Sequence, residues 1–551
     1  MVVATRHAGE LLPAYEAVVI GTGYGGSVAA SRLARMGLRT AVLEQGRHWR
    51  AGDFPTTLRG RRRQMRLTGR APRIGDPAGL YYLSVGKGLT VFGASGVGGG
   101  SLINAGVALR PDTTLLRRAG WPQAVLSDGL LAEGLARGEA MLGVAQVPAP
   151  ERFGKYAAMR LLATAAGRPA GLSRMTIAHS PGPTVTGILQ YACRCCGDCW
   201  SGCNLGAKGT TAVSYIADAV DHGASLFAQS RAHSIARRED GWEVVVEDLE
   251  DRGTRHAIRA PVVVLAAGTM GTNEILFRAR RDGLALSDRL GERFSANGDD
   301  LVFAGDMPDP VHGVAIGYPS QAPRGAPAVG PHSMALIDLG DDDGPLWLHD
   351  GTMLTAMATL APLKELLRFN LPRAFALLRS GIFGEALRHT QVLYIVSHDD
   401  AGGKLRFEND RLWVDWPGYS TSPLRLRAER KVKAVIEAAG ATFHSNPFAM
   451  TAFGGNRVIA HPLGGAGMAD TVDTGVTSPD GLVFDPTKGP TGVHDGLYVL
   501  DGAAIPSSVG VSPLLTITGL AERAMMLAAR RIGRPLDVEA SLGRPLRDAA
   551  M

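Results

Sequence analysis

Residues 191 to 208 read YACRCCGDCWSGCNLGAK and contain all five cysteines of a 551-residue chain. Cys193, Cys196, Cys199 and Cys203 follow the spacing C-x2-C-x2-C-x3-C, the run that wraps iron–sulfur clusters in bacterial ferredoxins. Thiolates this close in sequence can surround one small inorganic core, and Gly197 and Gly202 relieve the tight backbone that requires. Cys195 is an extra thiol within the run, and Asn204 stands where the ferredoxin pattern has proline. In two-cluster ferredoxins the fourth cysteine serves the other cluster. The reading is therefore a [3Fe-4S] or [4Fe-4S] cluster held by three or four of Cys193, Cys195, Cys196, Cys199 and Cys203. Packed reduced thiols, a redox disulfide and a zinc ion are the alternatives, although structural zinc usually takes two cysteine pairs set further apart.

A second chemistry-bearing stretch is YEAVVIGTGYGGSVAASRLARMGLRTAVLEQG, residues 15 to 46. An apolar run at Ala17 to Ile20 ends in Gly21-Thr-Gly23-Tyr-Gly-Gly26, a helical pattern follows, and a second strand at Thr40 to Leu43 ends at Glu44. This is the strand, glycine turn, helix, strand and acid order of a dinucleotide-binding fold. Gly21 makes the turn, Gly23 lets backbone N–H groups approach a pyrophosphate, and Gly26 permits close helix–strand packing. Glu44 is placed to accept hydrogen bonds from ribose hydroxyls.

Such a turn must be held by a sheet, and two later stretches supply strands for it. VVVLAAGTMGTNEIL (262–276) and GLYVLDGAAIP (496–506) each run from a buried-type strand into small residues, the second ending at Asp501 and Gly502. VFGASGVGGGSLINAG (91–106) is a further glycine-rich segment that can lie flat against a ring system. From about residue 300 to 455 the texture changes to alternating strands with one long amphipathic stretch, 361–390, carrying Leu363, Leu366, Leu367, Leu371, Leu377 and Leu378. These are read as helices roofing a core, with a lid or a peripheral membrane foot as the alternative. The fold class is α/β: a Rossmann-like domain with an inserted α+β domain, an antiparallel sheet roofed by helices. The divisions are 14–110, 205–298 and 456–534 for the discontinuous nucleotide domain, 111–204 for a connecting region with the cysteines, 299–455 for the substrate domain, and a loose tail at 535–551.

Composition is that of an ordinary globular protein: 45% apolar, 20% charged, net charge +6. The first residues lack a secretory pattern and no 18-residue apolar span occurs, so a cytoplasmic, soluble protein is expected. The mild charge does not call for nucleic acid. Residues 59 to 73 carry seven arginines, read as a solvated run or as a docking patch for an anionic surface or an acidic electron carrier.

These segments together resemble the glucose–methanol–choline (GMC) oxidoreductases, most closely the branch with bacterial cholesterol oxidases. The matching stretches are VVIGTGYGGSVAASRLA, GGGSLINAGVALRP, GCNLGAKGTT, LGERFSANGD, AHPLGGAGMAD and GLYVLDGAAIPSSVGVSPLLTITGLAER, in family order from Val18 to Arg523. The resemblance implies FAD, bound by Gly21, Gly23, Gly26, Glu44, Gly99, Ser101, Asn104, Gly106, Asp501 and Gly502. It also implies hydride transfer from an alcohol carbon to flavin, with oxygen or an electron carrier as final acceptor. His461, in AHPLGG, matches the family's active-site histidine, and an imidazole there can withdraw the hydroxyl proton. The family's second polar residue, Asn or His before a proline, is replaced by Ser512. A serine hydroxyl is shorter and a poor base, so a water partner or a different reaction is the implied consequence. The implied activity is oxidation of a secondary alcohol of an apolar, sterol- or terpenoid-like substrate. Desaturation, a redox-neutral isomerisation and a flavin/iron–sulfur electron-transfer subunit are the alternatives. Oligomeric state is not legible. The charges His398, Asp399 and Asp400 read as a solvated turn inside a strand–turn–strand at 392–418.

Overall fold

The computed structural model describes residues 3–317, 325–355, 358–359, 375, 377–379, 381–446 and 456–538. The apolar runs Ala17–Ile20 and Thr40–Leu43 are buried at every position, the pattern of parallel strands covered on both faces. They form a six-stranded sheet ordered Ser225–Phe227, Thr40–Leu43, Ala17–Ile20, Val262–Leu265, Val493–Val499 and Leu482–Phe484. The first five strands are parallel and the last is antiparallel. The stretches at 262–276 and 496–506 thus supply strands to the sheet of the first strand, the former pairing with it directly and the latter pairing with the former.

The helix Tyr24–Arg35 follows the glycine turn and is buried along all but its last residue. Small residues make that possible. A Cβ on Gly25 would sit 1.6 Å from the Leu500 carbonyl oxygen, and one on Gly26 would sit 2.1 Å from that of Gly21. The long helix Leu514–Ile532 packs beside it, joined by a buried Arg32–Glu522 ion pair of 2.6 Å.

The second six-stranded sheet is antiparallel throughout, in the order Thr442–His444, Asp300–Gly305, Gln391–Val396, Trp347–Gly351, Ala335–Asp338 and Ala170–Leu172. Its last strand comes from the stretch assigned from sequence to the connecting region. Alternation divides its faces. Val302, Leu348, Leu393 and Ile395 pack against the helices Gly154–Ala165 and Pro423–Ala438, whereas Leu301, Tyr394 and His349 turn toward a large cavity. The mixed α/β architecture with an inserted, helix-backed antiparallel sheet matches the sequence reading.

Several local expectations change. The 392–418 segment is one strand of the large sheet followed by a separate hairpin, Lys404–Glu408 with Arg411–Asp415. Asp399 is not a solvated turn residue: its carboxylate accepts N–H bonds from Ala296, Gly298 and Ala401, at 2.8, 3.1 and 3.0 Å. Burial raises its pKa. Most of the 361–390 stretch, including Leu363, Leu366, Leu367 and Leu371, lies outside the described residues; within it Leu377 is buried and Leu378 exposed. Of the tail only 535–538 is described, and there the Asp537 carbonyl accepts from Arg35 at 3.0 Å. Among the described residues no helix is long and apolar enough to cross a membrane.

Candidate active site

A cavity of about 1400 Å³ runs between the glycine turn and the cavity-facing side of the antiparallel sheet. Its nucleotide end is built from backbone. Gly21 has φ +100°, and a Cβ there would meet the Ala266 carbonyl oxygen at 2.1 Å, so only glycine fits. By contrast, a Cβ on Gly23 or Gly100 would find nothing within 4 Å. Both face open space at the amino end of the Tyr24 helix, a cradle of the kind a pyrophosphate fills. Arg66 lines the same space, donating to the Pro77 carbonyl and, at 3.0 Å, to Ser95 Oγ, while its Nε has no partner. Burial lowers its pKa to about 10, which leaves it cationic at neutral pH and suited to phosphate charge. These features fit FAD.

The other sequence-named residues divide by what they touch. Glu44, Gly99, Asn104, Gly106, Asp501 and Gly502 line the cavity. Glu44 is already engaged within the protein: it accepts from Thr22 Oγ1, Thr22 N, Gly46 N and Gly96 N at 2.5–3.2 Å, fastening the turn to the 96–99 loop. Asn104 donates to Tyr24 Oη at 2.6 Å. Asp501 accepts from Thr272 Oγ1 at 2.5 Å and Ala503 N at 2.9 Å, and burial pushes its pKa up to about 6. Ser101 does not reach the cavity; its hydroxyl donates to the Gly98 carbonyl at 2.6 Å and accepts from Thr211 N at 3.1 Å. Gly26 serves helix packing only. The arginine run is not one surface patch, since Arg61 is buried against Asp198 at 3.1 Å and Arg66 faces the cavity.

His461 and Ser512 line the same cavity. His461 Nδ1 lies 2.7 Å from Asp299 Oδ1, while Asp299 Oδ2 accepts the backbone N–H groups of His461 at 3.0 Å and Ala460 at 3.2 Å. A carboxylate only accepts, so Nδ1 carries a hydrogen, and in the neutral ring the lone pair is then on Nε2. Asp299 was not singled out from sequence, although LGERFSANGD ends on it. Asn297, in the same segment, adopts φ +56° and clasps the loop before Ser512, accepting from Val509 N at 2.9 Å and donating to the Val511 carbonyl at 2.8 Å. Leu301, Tyr394, Val458 and Ile459 contribute apolar lining to the cavity.

The cysteines form a separate feature. Cys193, Cys196, Cys199 and Cys203 border one small cavity of about 30 Å³ together with Lys208, room for about two water molecules. Cys195 is turned away into the core behind the antiparallel sheet, 3.6 Å from an Arg152 donor. Among the described residues no group of three His, Cys, Asp or Glu is gathered so as to hold a metal ion. The iron–sulfur expectation therefore gains no support from side-chain convergence. What the loop visibly does is join the two halves. Thr352 Oγ1 donates to the Gly197 carbonyl at 2.6 Å, Lys208 Nζ bridges the Leu102 and Cys199 carbonyls at 3.0 and 3.2 Å, and Trp200 forms part of the large cavity's wall.

Known proteins place this arrangement. A solved fungal aryl-alcohol oxidase superposes with a TM-score of 0.60 at 14% identity, over 95% of this chain and all of its own, which supports the fold. A cholesterol oxidase of Mycobacterium tuberculosis (strain ATCC 25618 / H37Rv) is 29% identical over 561 residues, covering 94% of this chain and 91% of that protein. A cholesterol oxidase of Acinetobacter baumannii is 27% identical over 547 residues, covering 93% and 94%. The GMC oxidoreductase family model matches residues 15–296 with its N-terminal part and 411–521 with its C-terminal part. With the nucleotide cradle and the carboxylate-held histidine lining one cavity, the chain belongs to the GMC oxidoreductase family, as an FAD-dependent oxidoreductase acting on alcohols.

Proposed function

We propose that the protein oxidises a secondary alcohol on an apolar, ring-bearing substrate of sterol or terpenoid type to the ketone. The observation that carries this reading is His461, fixed through Nδ1 by Asp299 at 2.7 Å and lining the same cavity as the nucleotide cradle and the apolar Leu301, Val458 and Ile459. FAD would lie along Gly21, Gly23, Glu44, Gly99, Asn104, Gly106, Asp501 and Gly502 and would supply the acceptor for the hydrogen leaving carbon. The protein's own groups do the rest. Asp299 orients the ring, Nε2 of His461 takes the hydroxyl proton, and Leu301, Tyr394 and Ile459 hold an apolar skeleton and exclude water. Ser512 lends one hydroxyl beside them. The name of the two similar cholesterol oxidases supports a sterol as substrate and oxygen as final acceptor.

Anaerobic mixing with a panel of sterols and other alcohols tests this. Bleaching of the flavin absorbance is the expected result. A flavin that no alcohol bleaches would overturn the reading and leave desaturation or isomerisation on the same frame. A second reading concerns electron exit. A single-electron exit through a cluster rests on the cysteine spacing alone, since among the described residues the thiols are not gathered as metal ligands; purified protein lacking iron and acid-labile sulfide would end it.

A further inference from the structure

His349 is 2% exposed, lines the same cavity as His461 and Ser512, and neither of its ring nitrogens has a hydrogen-bond partner among the described residues. Buried polar groups are nearly always paired, and leaving them unpaired is costly, so an orphaned imidazole facing a cavity needs an explanation.

Its position follows from strand alternation. In Trp347–Gly351, Leu348 and Asp350 point to the back of the sheet, where Leu348 joins the core and Asp350 meets Lys155 at 2.7 Å. His349 must then face forward. It sits directly opposite Tyr394, which is opposite Leu301, and all three line the cavity. His332 provides the contrast. It too is buried, but its Nδ1 is taken by Thr352 at 2.6 and 3.0 Å, and it does not line the cavity. That histidine has a structural task, and His349 has none visible.

We propose that His349 hydrogen-bonds the hydroxyl oxygen of the substrate, supplying from the antiparallel sheet the second polar contact that Ser512 is too short to make. This rests on the reading of the protein as an alcohol oxidoreductase. Burial, and then the nearby His461, lower the His349 pKa to about 4. The ring is therefore neutral, with one N–H to donate. The hydroxyl hydrogen goes to Nε2 of His461, the carbinol hydrogen leaves with its electron pair to the flavin, and the N–H of His349 holds the oxygen as C–O becomes C=O.

The test uses the flavoprotein with cholesterol as reductant and cholest-5-ene, which lacks the hydroxyl, as competitor. Stopped-flow flavin reduction without oxygen gives the rate constant over apparent Kd for cholesterol, and its inhibition gives Ki for the hydrocarbon. H349F keeps a ring and removes both nitrogens. It should lower the cholesterol ratio roughly tenfold or more while leaving Ki within about twofold. H349Q, which retains a donor, should recover most of the loss, and it decides the question if H349F does not accumulate with flavin. An H349F ratio close to wild type overturns the proposal, as does a parallel loss for the hydrocarbon in either variant. If no alcohol reduces the wild-type flavin, both readings fall; if cholesterol reduces it and His349 variants are silent, this one falls alone.

Discussion

Asp299→Asn is the most searching single change. Asp299 accepts three hydrogen bonds, one from the His461 ring at 2.7 Å and two from backbone N–H groups at 3.0 and 3.2 Å. An amide of the same shape has one oxygen for both sides. If that oxygen faces the backbone, the NH₂ faces the ring and forces a hydrogen onto Nε2, so the lone pair needed for the hydroxyl proton is lost. If the oxygen faces the ring, two backbone donors meet a third. A hydrogen bond to a charged group is worth about 1.5–3 kcal/mol, which at about 1.36 kcal/mol per decade is roughly a 10- to 150-fold loss in rate. The assay is anaerobic flavin reduction at saturating and limiting alcohol, with thermal melting and flavin content measured alongside. The loss should fall on the rate constant more than on apparent Kd, because the skeleton still binds the apolar wall. Reduction within twofold of wild type at unchanged melting temperature would refute the dyad.

Gly21→Ala should abolish soluble flavoprotein, because its Cβ would lie 2.1 Å from a carbonyl oxygen at φ +100°. Gly23→Ala, facing open space, should fold normally yet release FAD more readily, as dialysis and fluorescence of free flavin would record. Lys155→Met leaves Asp350 charged and alone where neither side chain is exposed, and should cost about 3–5 kcal/mol in denaturant unfolding. Lys155→Met with Asp350→Leu should regain much of that. His349, held to about 4 against an unfolded 6.5, favours the folded state fully above pH 6.5 and loses that contribution as pH falls toward 4. The loss amounts to about 2 kcal/mol at pH 5 and about 3 when complete. The difference between wild type and H349Q in unfolding free energy across that range measures it; parallel acid limbs would contradict the assignment.

The glycine turn was readable because each position is forced locally. Gly21, Gly25 and Gly26 meet backbone oxygens within 2.1 Å of where a Cβ would go, a constraint that leaves its mark residue by residue. The same holds for the fully apolar strands beside it. Asp299 had no such mark. Its partner lies 162 residues away, and nothing in the neighbourhood of either residue announces the pairing. His349 was invisible for a related reason: its facing depends on the strand Trp347–Gly351 being placed first, and that strand is short and mixed in composition. The error at Asp399 came from reading charge as exposure, whereas an acid beside glycines can equally serve as an acceptor for buried backbone.

The cysteine loop illustrates how spacing and geometry can carry different information. C-x2-C-x2-C-x3-C is a statement about which thiols can meet, and four of them do border one space. Yet the loop has a task that needs no metal. Trp200, between Cys199 and Cys203, packs its ring 4.7 Å from that of Tyr394 and 4.9 Å from that of the buried His332, so the loop props Tyr394, the sheet residue that faces the substrate space. Lys208, whose pKa burial lowers to about 8, ties Cys199 to Leu102 beneath the flavin-side glycines. A cysteine replacement that slows turnover would therefore be ambiguous: lost electron transfer and a shifted Trp200 give the same deficit. The two separate at Tyr394→Phe and Trp200→Phe, which disturb the prop and leave every thiol in place. If those variants reproduce the cysteine phenotype, the loop acts through packing; if only the cysteine variants slow reoxidation of the flavin, it acts through its sulfurs.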